Sequence, residues 1–113
     1  MVNRWWVMVM GGVGVWVRVV VSSWVPGPMG TLAINGVGSL MMGLVYGICL
    51  KKGLSVHPAI TAGFLGGLTT FSAFSREGVL ALRASWVMGL LWVVGSVLVG
   101  LGGYALGEWW GMR

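Results

Sequence analysis

Four long apolar runs decide what this chain can fold into. The first covers about Trp5 to Val21 and ends in SSWVPGP, residues 22–28, where two prolines and a glycine cannot continue a helix. The second covers Met29 to Leu50 and stops at Lys51, Lys52 and Gly53. The third starts after His57 and Pro58, proline being suited to a first helical turn, and reaches about Leu82. The fourth covers about Trp86 to Leu106. A membrane-spanning helix needs roughly 20 mainly apolar residues, so 113 residues with hardly any polar loop hold at most four spans in one domain, residues 1–113. Charged residues are 8% of the chain, against about 25% in a soluble domain, and the mean hydropathy is +0.93. The expected fold is therefore an all-α membrane protein with four transmembrane helices.

Arg4 ahead of the first run resembles the start of a secretory leader, but Arg18 interrupts the run, no small-x-small cleavage site follows, and the downstream sequence is equally apolar. The run is expected to be a retained first span. Trp5, Trp6, Trp24, Trp86, Trp109 and Trp110 fall near the span ends, where an amphipathic indole is favoured. Glycine makes up 21 of the 113 residues. Pairs such as Gly43 with Gly47, and Gly103 with Gly107, have the small-xxx-small spacing of closely packed membrane helices.

The net charge of +5 comes from dispersed residues, so it forms no nucleic-acid patch. Arg4, Lys51, Lys52 and Arg113 on one side oppose Arg83 and Arg76 on the other. So weak a bias lets the chain insert in either orientation and pair antiparallel with a copy of itself or with an oppositely oriented relative. The single Cys49 has neither a partner nor a metal-type spacing to His57 and is expected to be a small buried hydrophobe.

Polar groups inside a bilayer are costly, so each one asks for a role. Arg18 can snorkel to the interface, and Asn35 must bond a neighbouring helix, water or a ligand. The segment GFLGGLTTFSAFSRE, residues 63–77, combines several unusual choices. Gly66, Gly67, Thr69 and Thr70 predict a helix broken at its centre, and freed backbone at membrane depth is tolerated only inside protein or along an aqueous or ion site. Freed carbonyls can ligate a cation, and a new helix start offers N–H groups to an anion. Phe71 and Phe74 share a face beside a stripe of Ser72 and Ser75. Ring edges carry partial positive charge, so this face serves either core packing or a small anion. Glu77 next to Arg76 predicts an interfacial ion pair.

These residues resemble the third-helix signature of the Fluc/CrcB fluoride channels. Residues 63–77 follow the family pattern G-x-x-G-G-L-T-T-F-S-T-F-S-x-E with Ala73 in place of a threonine, and GTLAINGVGSLMMG, residues 30–43, follows G-T-L-x-x-N-x-x-G-S-F-x-x-G except at Leu40. The first-helix pattern G-G-x-x-G-A-x-x-R aligns with Arg18, Gly11 and Gly14 but meets Met10 and Val15. In the fourth helix, where relatives carry a tyrosine and serines four residues apart, this chain has Trp92, Ser96 and Gly100.

The resemblance implies an antiparallel, dual-topology dimer with two pores, passively exporting cytoplasmic fluoride across the inner (plasma) membrane. It also implies a structural sodium ion at the dimer centre, held by the backbone carbonyls of Gly66 and Thr69, with the helix break over Gly66 to Thr69. Phe71 and Phe74 would line the pore, with Asn35, Thr31, Ser72, Ser75 and Ser96 as polar pore or support groups and Arg18 near a vestibule. No nucleophile, general base or metal cluster points to an enzyme. A small four-span multidrug exporter is the first alternative, but it needs an acid in the first span, where only Arg18 stands. A non-transporting assembly subunit is the second, and it gives Asn35 and the Phe/Ser face no purpose.

Overall fold

A computed structural model describes residues 3–113. Helix α1 is Arg4–Trp24 and α2 is Pro28–Lys52. A π-helical segment, Ala59–Leu65, leads into the short α3, Gly66–Leu68, followed by α4, Phe71–Ala84, and α5, Trp86–Gly111. The described residues contain no strand. Three of these helices, α1, α2 and α5, are long and apolar enough to cross a membrane. The expected third span is divided among the π-helical segment, α3 and α4.

The turns follow local chemistry. Asn3 caps α1 through its side chain, which accepts from the Trp5 N–H. Gly27 precedes Pro28 at φ 83°, a conformation that only glycine adopts without strain, and Gly53 ends α2 in the left-handed region at φ 66°. Ser85 caps α5 by accepting from Met88 N–H.

Packing pairs α2 with α5 and α1 with the divided segment, each pair running parallel. A Cβ at Gly43 would collide with the Tyr104 carbonyl oxygen, and one at Gly107 with that of Leu40, so backbone lies directly on backbone. Likewise a Cβ at Gly14 would meet the Phe64 carbonyl, and one at Gly67 that of Gly11. The glycine pairs expected from spacing therefore do join helices. At the far end of the α2/α5 pair, Lys51 Nζ donates to the Arg113 carbonyl, and the Arg113 guanidinium lies 4.3 Å from the Trp109 ring centre.

Burial is small and central. Ile34, Leu65 and Leu68 form the core, Leu65 at 1% exposure, with Val17, Val21, Met41, Met42 and Phe64 packed around them. Trp5, Trp24, Trp86, Trp109 and Trp110 and most large aliphatic side chains of α1 and α5 face outward. An exterior this apolar matches lipid as the solvent.

The break in the third segment lies later than expected. Gly66 is helical, at φ −63° and ψ −37°, and the extended residues are Thr69 (φ −83°, ψ 156°) and Thr70 (φ −143°, ψ 115°). Glycine permits a break without imposing one. Gly67 instead makes room for α1, while the β-branched threonines favour extended backbone.

Candidate functional site

The broken segment is held open by hydrogen bonds that replace its lost helical ones. Asn35 of α2 bonds Thr70 twice: its Oδ1 accepts from the Thr70 N–H at 2.8 Å and its Nδ2 donates to the Thr70 carbonyl at 2.9 Å. The Thr70 hydroxyl accepts from Ala73 N–H at 3.1 Å, making Thr70 the N-cap of α4. On the other side of the break, Leu65 O accepts from both the N–H and the hydroxyl of Thr69, at 3.0 and 2.9 Å. Arg18 Nε donates to the Gly67 carbonyl at 3.1 Å.

Gly66 O and Thr69 O are among the carbonyls left over, together with Leu68 O. In an uninterrupted helix Gly66 O would accept from Thr70 N–H and Thr69 O from Ala73 N–H. Those donors go instead to Asn35 and to the Thr70 hydroxyl. The break thus strips the i+4 donor from both carbonyls.

Beside the break, α2, α4 and α5 line an open cavity of about 360 Å³. On α2 its wall carries Thr31, Asn35 and Ser39, a polar stripe at four-residue spacing. On α5 it carries Trp92, Ser96 and Tyr104, and between these walls stand Thr69, Thr70, Phe71 and Phe74. The two phenylalanine rings lie 5.6 Å apart at an interplanar angle of 42°. Phe71 is 79% exposed, unusually open for an aromatic beside a buried threonine cap.

Of the residues picked out from sequence, Thr31, Asn35, Thr69, Phe71, Phe74 and Ser96 line this cavity. Ser72, Ser75, Arg18 and Gly66 lie off its wall. Ser75 donates back to the Phe71 carbonyl at 2.9 Å, and the exposed Ser72 sits 3.3 Å from the Thr70 hydroxyl. Glu77 does not serve as the expected partner of Arg76. Its Oε1 accepts from the Thr31 hydroxyl at 2.8 Å and its buried Oε2 has no hydrogen-bond partner.

Sequence reasoning missed Ser39, Thr70 and Tyr104 as wall residues. Ser39 continues the spacing of Thr31 and Asn35, and Tyr104 that of Trp92, Ser96 and Gly100, so periodicity could have found both. Thr70 owes its place to Asn35, 35 residues away in sequence, which no local pattern signals.

Chemically, the site combines hydrogen-bond donors, aromatic edges and apolar walls without a cluster of three or more metal-ligating side chains among the described residues. The chain is similar to the protein named Fluoride-specific ion channel FluC 1 of Leifsonia xyli subsp. xyli, with 39% identity over 93% of this chain and 83% of the relative. It is similar to Fluoride-specific ion channel FluC of a Hydrogenobaculum species, with 37% identity over 93% of each chain. With Fluoride-specific ion channel FluC of Pseudoalteromonas translucida it shares 51% identity over 50% of this chain, spanning about half (49%) of the relative's length. The family model described as CrcB-like protein, Camphor Resistance (CrcB), matches residues 5–108, and the chain belongs to that family.

Proposed function

We propose that the chain is a fluoride-selective channel that lets cytoplasmic fluoride run passively out of the cell across the inner membrane. The observation that carries this is the cavity wall, where hydrogen-bond donors and the Phe71/Phe74 pair converge in an apolar setting. A small, strongly hydrated anion leaves water only where short donors and positive ring edges replace its shell, and it leaves the site only if none of them holds too tightly. Names of the relatives agree with this substrate.

The working unit is an antiparallel dimer with two pores, built from a copy or an oppositely inserted relative, in which the divided segment completes a fourth span. The 79% exposure of Phe71 at the edge of the cavity supports a partner surface there. Ser72, also exposed, would meet the partner beside it. Gly66 and Thr69 would hold a structural sodium ion through their carbonyls, and the loss of both i+4 donors fits a hard cation that prefers oxygen ligands. When bound, that ion supplies positive charge to the opened backbone. Arg18, on the Gly67 carbonyl, steadies the same break from α1.

Fluoride efflux from liposomes holding the purified protein tests this, with chloride as the control anion. Fluoride should leave and chloride should stay, and Phe71→Ile should slow fluoride roughly tenfold, the upper range for an aromatic contact. Equal loss of both anions, or none, would refute it.

A further inference from the structure

Helices α2 and α5 run side by side to a common end. Gly47 lies against the Glu108 backbone and Gly111 against the Leu44 carbonyl, so the last turns of the two helices are in contact. Two helix C-termini placed together concentrate unpaired carbonyls and negative dipole ends. Cations answer them: Lys51 and Lys52 stand in the last turn of α2, and Lys51 Nζ donates across to the Arg113 carbonyl beyond α5.

Lys51 serves the helix ends, which leaves Lys52 and Arg113 as further cations beside it. Lys52 is exposed. The Arg113 guanidinium is held 4.3 Å from the Trp109 ring centre, a contact that steadies a long side chain without occupying its N–H fork. A fork held in advance is suited to bidentate binding of a phosphate. The chain has seven Lys and Arg against two carboxylates. Glu77 bonds Thr31 at the broken segment, and Glu108, the carboxylate near this end, is half-buried on the α2 side. The contacts made by Lys51 and Arg113 are with a carbonyl and a ring, so an anion that matches this end has to come from outside the chain.

Around these cations the surface is apolar: Leu50, Leu106, Trp109, Trp110 and Met112 are each more than half exposed. An indole is favoured at the level where headgroups meet hydrocarbon, so Trp109 and Trp110 set Lys52 and Arg113 in the headgroup layer. We infer that the joined ends of α2 and α5 form a binding site for an anionic phospholipid, Arg113 and Lys52 taking the phosphate of its headgroup while its acyl chains lie along the exposed apolar side of α5. A soluble phosphate would meet the charges without the apolar surface, and a zwitterionic lipid sets its own cation against them. The site shares no residue with the cavity wall, so it stands or falls independently of conduction.

The test is native mass spectrometry of the purified protein in a neutral detergent, titrated with phosphatidylglycerol or phosphatidylcholine. Phosphatidylglycerol should bind about tenfold or more tightly than phosphatidylcholine. Arg113→Gln and Lys52→Gln should each weaken it about fivefold. Arg113→Lys should also weaken it, because an ammonium keeps the charge without the fork. Arg83→Gln, at the opposite end of the molecule where α4 meets the start of α5, should leave it unchanged. Inorganic phosphate in excess should not displace the lipid. Equal affinity for the two lipids, equal losses in Arg83→Gln and Arg113→Gln, or displacement by inorganic phosphate would overturn the inference. So would Arg113→Gln binding as tightly as the wild type.

Discussion

Asn35 supplies an acceptor and a donor to one residue of an opened backbone, so its amide cannot be exchanged for a carboxylate. Asn35→Asp keeps the acceptor for Thr70 N–H but sets a second oxygen against the Thr70 carbonyl, and Asn35→Ala leaves both backbone groups unpaired. Each stranded group costs about 1–3 kcal/mol, so both variants should unfold earlier in a detergent melt. Thr70 N–H should exchange faster with deuterium; unchanged exchange in Asn35→Ala would contradict the assigned bridge. The sequence made Asn35 conspicuous as an amide within a span but could not say which backbone it held. Likewise the two glycines pointed to the neighbourhood of the break, whereas its position is set by Thr69 and Thr70 through contacts distant in sequence.

At the scale of elements, glycine spacing predicted close helix contact, because a missing Cβ is a local property with a packing consequence, while which helices meet is seen only in the structure. Gly107→Ala places a methyl against the Leu40 carbonyl and Leu44 N–H and should cost about 1–3 kcal/mol through overpacking. Gly102→Ala, with open space around the new Cβ, should leave the melting point unchanged or raised. Equal melting points for the two would contradict the backbone-to-backbone fit of α2 and α5. Thr70→Val should loosen α4 by about 1 kcal/mol through loss of its cap, visible as faster exchange at Ala73. The bounds of α1, α2 and α5 were legible within a few residues from proline, lysine and tryptophan. The π-helical segment was not, since its i+5 bonding depends on neighbours rather than on residue type.

For the whole molecule, an outward apolar surface, a small core and two parallel helix pairs describe a membrane protein with a polar-walled cavity beside a broken segment. Class was legible because lipid as solvent imposes a coarse pattern on composition, and family because the motifs of residues 30–43 and 63–77 are long and specific. The donor inventory of the site was not, because a serine in sequence does not tell whether its proton is already given to a carbonyl. The central claim, fluoride-selective conduction, is tested most directly by the reversal potential of the protein in a planar bilayer with fluoride and chloride in opposing gradients. The current should reverse at the equilibrium potential of fluoride; reversal at that of chloride, or at zero, would contradict it.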